Sequence, residues 1–128
     1  MKYYLSLGSN INPESNLELA ISALNKILIE TECSSIYKTQ AEGFVGDDFL
    51  NLIFSGLSPL AFDDLNKKLK GIEDSSGRDR NAKKFSSRTL DIDIVLQIND
   101  DEEILFESDE IAKYSFVSEP LKELLWIY

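Results

Sequence analysis

Two aspartates, Asp91 and Asp93, stand two positions apart in an otherwise apolar stretch running from Leu90 to Leu96. In an extended chain, residues i and i+2 leave the same face, so the two carboxylates converge. Such a pair can hold Mg2+, a hard ion that takes oxygen ligands and bridges substrate phosphates. Two ions held side by side could clamp the attacking and leaving oxygens of a phosphoryl transfer. The bland alternative is a solvated acidic face, since Asp is a common surface residue. Context weighs against it. Asp is disfavoured in strands, and the pair begins three residues after Arg88, the end of a basic stretch. Arg78, Arg80, Lys83, Lys84 and Arg88 are opposed there by Asp79 alone. The stretch carries +4 on a chain whose net charge is −10, so the remainder holds −14. A cationic loop beside paired carboxylates supplies what a polyphosphate site needs.

Composition narrows the chemistry further. The chain has no histidine, which removes the commonest general base, the triads built on it and most zinc sites. The acidic total argues against wrapping DNA or RNA. Neither a phosphate-binding GxxxxGK[ST] loop nor a full dinucleotide fingerprint is present; Gly8-Ser9-Asn10 is too short for the latter. Phe49 and Asn51 fall on one face of a predicted strand, where a ring and an amide could stack on and hydrogen-bond a flat heterocycle, although core packing is the commoner use of a strand Phe. Glu73, at the end of a predicted helix, would ordinarily be an exposed charge.

These residues need a scaffold. At 128 residues, 43% apolar and 28% charged, the chain has ordinary globular composition and is expected to form a single domain, 1–128, with one real core. The lone Cys33 cannot form an internal disulfide, and neither a signal peptide nor a membrane span is expected, so a cytoplasmic setting is predicted. A strand is expected at 2–7. Asn12 then reads as an N-cap with Pro13 at the first helical position, and Leu17, Ala20, Ile21, Leu24, Ile27 and Leu28 recur at helical spacing, predicting a helix over 13–29. Strands follow at 33–39 and 49–57, separated by a mobile loop at 40–48 that contains Gly43 and Gly46. Ser58-Pro59 repeats the cap-plus-proline signal, and Phe62, Leu65, Leu69 and Ile72 predict a helix over 59–74. Residues 75–88 have no apolar period and read as a polar, mobile loop. Leu90, Ile92, Ile94 and Leu96 alternate along a strand at 89–96, expected to face one way. A turn at Asn99-Asp100-Asp101, a short strand at 104–106 and a final helix opened by Glu119-Pro120, carrying Leu121, Leu124 and Leu125, complete the order. Strand–helix–strand–strand–helix–strand is the α+β, ferredoxin-like pattern, an antiparallel sheet with helices on one face, here with a short C-terminal addition.

The motifs in sequence are Leu7-Gly8-Ser9-Asn10, Tyr37-Lys38-Thr39, Phe49-Leu50-Asn51, Gly77-Arg78-Asp79-Arg80 and Ser87-Arg88-Thr89-Leu90-Asp91-Ile92-Asp93-Ile94. Together they resemble the 6-hydroxymethyl-7,8-dihydropterin pyrophosphokinase family of folate biosynthesis, over about 2–97 and more weakly over Phe116–Leu124. The resemblance implies an ATP-dependent transferase that moves pyrophosphate from MgATP to the pterin hydroxymethyl group and releases AMP. By position it implies that Asp91 and Asp93 are magnesium ligands. Arg78 and Arg88, with those aspartates, would be catalytic, and Glu73, Arg78, Arg80, Lys83, Lys84, Arg88 and Ile94 would serve ATP. Thr39, Phe49, Asn51, Phe85 and Phe116 would form the pterin pocket. Departures occur late in the chain, where Ser108, Asp109 and Tyr114 stand in place of a His, an aromatic and an Arg; in this respect it looks like a short member with a divergent C-terminal part. The rival expectation is a non-catalytic paralogue that binds pterin or nucleotide as a regulatory module. An RNA-binding domain is disfavoured by charge and by the lack of an aromatic sheet signature. Small-molecule partners are expected, with no nucleic acid and no membrane; the oligomeric state is left open, a monomer being favoured.

Overall fold

The computed structural model describes residues 1–40, 47–77 and 89–125. The two predicted loops fall largely outside these residues, and with them Arg78, Arg80, Lys83, Lys84, Phe85 and Arg88. The elements run β1 (Lys2–Ser9), α1 (Pro13–Leu24), β2 (Ile29–Cys33), β3 (Tyr37–Thr39), β4 (Phe49–Leu57), α2 (Phe62–Ser75), β5 (Asp91–Ile98), β6 (Ile104–Glu107), α3 (Glu110–Lys113) and α4 (Ser115–Leu124). All six strands join one sheet in the order β2-β4-β1-β5-β6, with β3 also paired to β4, and every pairing is antiparallel. Counting β2 and β3 as one interrupted strand, this is the ferredoxin-like arrangement with β6 added at an edge.

Alternation along the strands sorts their side chains to two faces. Tyr3, Leu5 and Leu7 of β1, Leu52 and Phe54 of β4, and Ile92 and Ile94 of β5 bury against Leu17, Ala20 and Leu24 of α1 and Leu65 and Leu69 of α2. The opposite face carries a smaller cluster in which Tyr4, Ile53, Val95 and Leu96 pack under Val117 and Leu121 of α4. The helices of the repeating core thus share one face, and the C-terminal addition covers part of the other.

Where local boundaries differ from the sequence expectations, packing explains the difference. Leu96 does not share a face with Leu90, Ile92 and Ile94. Tyr4 pairs with Leu96 but Leu5 with Ile94, so Val95 is an extra residue that bulges β5 and reverses the facing of the residues beyond it. Gln97 consequently points back and donates to the Tyr3 hydroxyl at 3.1 Å. The first helix stops at Leu24 rather than continuing to 29, because turns closed onto Ile21, Ala23 and Leu24 carbonyls swing Leu28 against Gly56 of β4. Asn12 occupies the N-cap position, but with φ 43° and no side-chain capping bond. Ser58 does not cap α2 either. It pairs with Met1 through its backbone, its hydroxyl accepts the Leu60 N–H at 3.1 Å, and the helix begins at Phe62 behind Ala61. The strand expected at 33–39 is two strands, since Ser34 inserts its hydroxyl as acceptor for Ile53 N–H. The last helix starts at Ser115, with Pro120 inside it.

A Cβ on Gly56 would lie 2.8 Å from Leu28 Cβ and 3.2 Å from Thr31 Cγ2, so this glycine permits the close approach of the α1–β2 connection to the sheet. Gly56→Ala is expected to destabilise the fold by about 1–3 kcal/mol, the usual cost of overpacking. Urea denaturation measures it; an unchanged midpoint would mean that the connection yields freely.

Candidate functional site

Among the described residues, α4 packs over one end of its sheet face, on Tyr4, Ile53, Val95 and Leu96. The other end of that face is a shallow trough built from strand register. Gly8 of β1 pairs with Asn51 of β4 on one side and Asp91 of β5 on the other; one step along, Ser6 pairs with Ile53 and Asp93. The centre of the trough is therefore a glycine and a serine. Two inter-strand spacings set its walls about 10 Å apart.

The β4 wall collects the residues expected to meet a heterocycle. Thr39 pairs with Phe49 and Tyr37 with Asn51, which puts all four on the trough face. The Asn51 amide is buried and donates from Nδ2 to Thr39 Oγ1 at 2.8 Å. Its Oδ1 lies 3.0 Å, and Phe49 Cδ1 3.9 Å, from the place a Gly8 Cβ would take, so the missing side chain gives both their position. Phe116 lies on α4, stacked on Tyr114 with ring centroids 4.8 Å apart, and packs against the cluster on this same face. Ile94, expected to serve ATP, is a buried member of the α1/α2 core.

The β5 wall is acidic. Asp91 and Asp93 leave the trough face, and Glu73 reaches them from α2, one carboxylate oxygen of each lying within 4.8 Å of the others. Glu73 arrives around the edge of the sheet. β6 borders β5 only from Leu96 to Ile98; farther along, the fully buried Glu73 accepts the Ile92 N–H at 2.6 Å, and Lys70, one helical turn earlier, donates to the Ile92 carbonyl at 3.0 Å. Lys70 Nζ also lies 3.1 Å from Glu73 Oε2 and 3.2 Å from Asp93 Oδ1.

The electrostatics are strained in the direction of cation binding. Although 39% of its side chain meets solvent, the Asp93 carboxyl is pushed up to about 7, first by lost hydration and next by Asp91, against the pull of Lys70. Burial works against the Lys70 charge, but Asp93 and Glu73 outweigh it and its pKa rises. Glu110, opening α3, is raised by burial and by Asp91. A carboxyl raised by burial and by a neighbouring carboxylate, as Asp93 is, would be relieved by a cation placed beside it. Three hard oxygen donors suit Mg2+, so Glu73, Asp91 and Asp93 fit the expected ion.

Of the residues singled out from sequence, the structure brings together Glu73, Asp91 and Asp93, and separately Thr39, Phe49 and Asn51. Glu73 is not the exposed charge its type suggests. Lys70 and Glu110 were not among the expected site residues; the spacing of Lys70, three before Glu73 on one helical face, was the available signal. The short late segment holds Ser108 against Val95 by a backbone bond and pairs Asp109 with Lys113.

Removing the Glu73 carboxylate leaves Ile92 N–H without its acceptor and Lys70 with one acid fewer. Glu73→Ala is expected to lose about 1–3 kcal/mol of stability, and Glu73→Gln, which still offers an acceptor oxygen, less. Thermal melts of the two variants check the order.

Comparison with known proteins agrees with this geometry. The chain is 30% identical over 129 residues to a folate synthesis bifunctional protein of Arabidopsis thaliana, an alignment covering 94% of this chain. The chain spans 26% of that relative's length. No helix among the described residues is long and apolar enough to cross a membrane. A family model described as 7,8-dihydro-6-hydroxymethylpterin-pyrophosphokinase matches residues 4–125, nearly all of the sheet and both walls of the trough, and the chain belongs to that family.

Proposed function

We propose that the protein transfers pyrophosphate from MgATP to the hydroxymethyl oxygen of 6-hydroxymethyl-7,8-dihydropterin, releasing AMP, as a step of folate biosynthesis. The observation that carries this reading is the register across Gly8, which sets an amide-and-aromatic wall opposite a carboxylate wall at the spacing of two strands. Family membership and the folate-synthesis relative support it.

In this reading the pterin lies over Gly8. Its flat ring stacks on Phe49 and Phe116, and its polar edge meets Asn51 and Thr39. Asn51 is held for this purpose by its bond to Thr39. Glu73, Asp91 and Asp93 would hold magnesium, which would supply charge to offset that of the phosphates. The hydroxymethyl oxygen forms a bond to the β-phosphorus, the bond from that phosphorus to the AMP oxygen breaks, and the hydroxyl proton passes to solvent. No histidine is present to act as base, and positioning with charge stabilisation supplies the acceleration such transfers require. Arg78, Arg80, Lys83, Lys84 and Arg88, all outside the described residues, would gather the phosphates, Arg78 and Arg88 acting catalytically, and Phe85 would close over the pterin.

The test supplies ATP, Mg2+ and the hydroxymethyl pterin and follows AMP. AMP formation is expected; ADP would mean a different transfer, and pterin binding without turnover would mean a binding module. Asp91→Asn and Asp93→Asn, which keep shape but remove charge, are expected to slow AMP formation by about 10²-fold or more with the circular dichroism spectrum unchanged.

Gly8→Ala adds a methyl against Asn51 Oδ1 at a distance tighter than ordinary contact. It is expected to weaken pterin binding about tenfold, the equivalent of about 1.4 kcal/mol, with less effect on nucleotide binding. Fluorescence titration with each ligand separates the two.

A further inference from the structure

Lys70 occupies an unusual place for a cation. Its ammonium sits 3.1 Å from Glu73 Oε2 and 3.2 Å from Asp93 Oδ1, two of the three carboxylates grouped as a divalent-ion cage. A further contact, to the Ile92 carbonyl at 3.0 Å, also ties it to β5. A magnesium ion lies about 2.0–2.1 Å from each ligand oxygen, so an ion on Asp93 would stand within a few ångströms of Nζ. The two cations would repel across a short gap that is partly shielded from water.

Polyphosphate reverses the sign. An ion that arrives with a nucleotide brings more negative charge than it carries. With 34% of its side chain exposed and a four-carbon stem with rotatable donors, Lys70 can release Asp93 and keep the Ile92 carbonyl. It then donates to a phosphate oxygen. We infer that Lys70 is a specificity-determining residue that makes the acid cluster discriminate, disfavouring a bare divalent ion and favouring the same ion when it comes bound to a polyphosphate. This inference rests on the nucleotide reading above. It adds that the chain admits metal and nucleotide together instead of metal first.

The discriminating experiment is calorimetric titration of the full chain with two probes, Mn2+ alone and the Mg2+ complex of α,β-methylene-ATP, which cannot be cleaved between its α and β phosphorus atoms. In Lys70→Met, Mn2+ alone is expected to bind about tenfold tighter and the magnesium–analogue complex about tenfold weaker. Lys70→Arg, which keeps the charge, should stay near the parent in both. Opposite shifts are the signature, because a residue that merely holds Glu73 in shape would weaken both when lost. Parallel losses, or no change in either, overturn the inference while leaving the nucleotide reading intact. If the parent chain takes up neither probe, the nucleotide reading fails and the inference falls with it. Lys70→Gln, which retains a donor to Ile92, repeats the measurement should Lys70→Met fold poorly, and the same opposite shifts are required of it.

Discussion

An unpaired stretch of strand edge must find partners for its backbone, and β5 finds them in a helix. Among the described residues no strand other than β1 borders β5 beside Ile92, and α2 places a carboxylate under the N–H and an ammonium on the carbonyl, imitating a neighbouring strand with two side chains one turn apart. A buried carboxylate is costly unless several donors meet it. Glu73 has both a backbone amide and Lys70, and that satisfaction keeps a charged group where the trough can use it. The edge repair and the acid cluster are thus one construction: to complete the sheet, the chain has already brought a third carboxylate to the pair on β5.

The trough itself depends on how the described residues cover one sheet face, with α4 at one end. α4 packs over Tyr4, Ile53, Val95 and Leu96 and is tied at its far end by Glu123. That carboxylate accepts Ser35 N–H, the Ser35 hydroxyl and the Tyr37 hydroxyl; the Ser35 amide foremost holds its pKa below the usual range. The tie falls at the interruption between β2 and β3, where backbone groups are turned out of the ladder. The Val95 bulge serves the same division. Before it β5 alternates aspartate outward and isoleucine inward; at it two successive apolar side chains, Val95 and Leu96, meet the α4 cluster.

Much of this was legible in sequence because local physics and packing agreed there. The strand 49–57 matches β4 in both bounds, and the proline at the start of α1 marks its first turn. The convergence of Asp91 and Asp93 follows from period two alone. The bulge was not legible, since an extra residue in a strand leaves the apolar pattern intact and shows only against a partner's register. Nor was the early end of α1, where Leu28 continues the helical spacing and only the space above Gly56 reveals a different path. Glu73 illustrates the limit most clearly. Its residue type argues for solvent, and what buries it is an amide nineteen positions away.

Gly8 has a consequence for how such a site can diversify. At Gly8 the floor between the walls is bare backbone, which offers shape and no chemical preference, and the walls belong to different strands joined through β1. Changes on β4 and β3 can alter which ring is admitted without touching the carboxylates, and changes on β5 and α2 can alter the charged partner without touching the amide. A neutral floor lets the two halves of recognition be inherited and varied as separate traits.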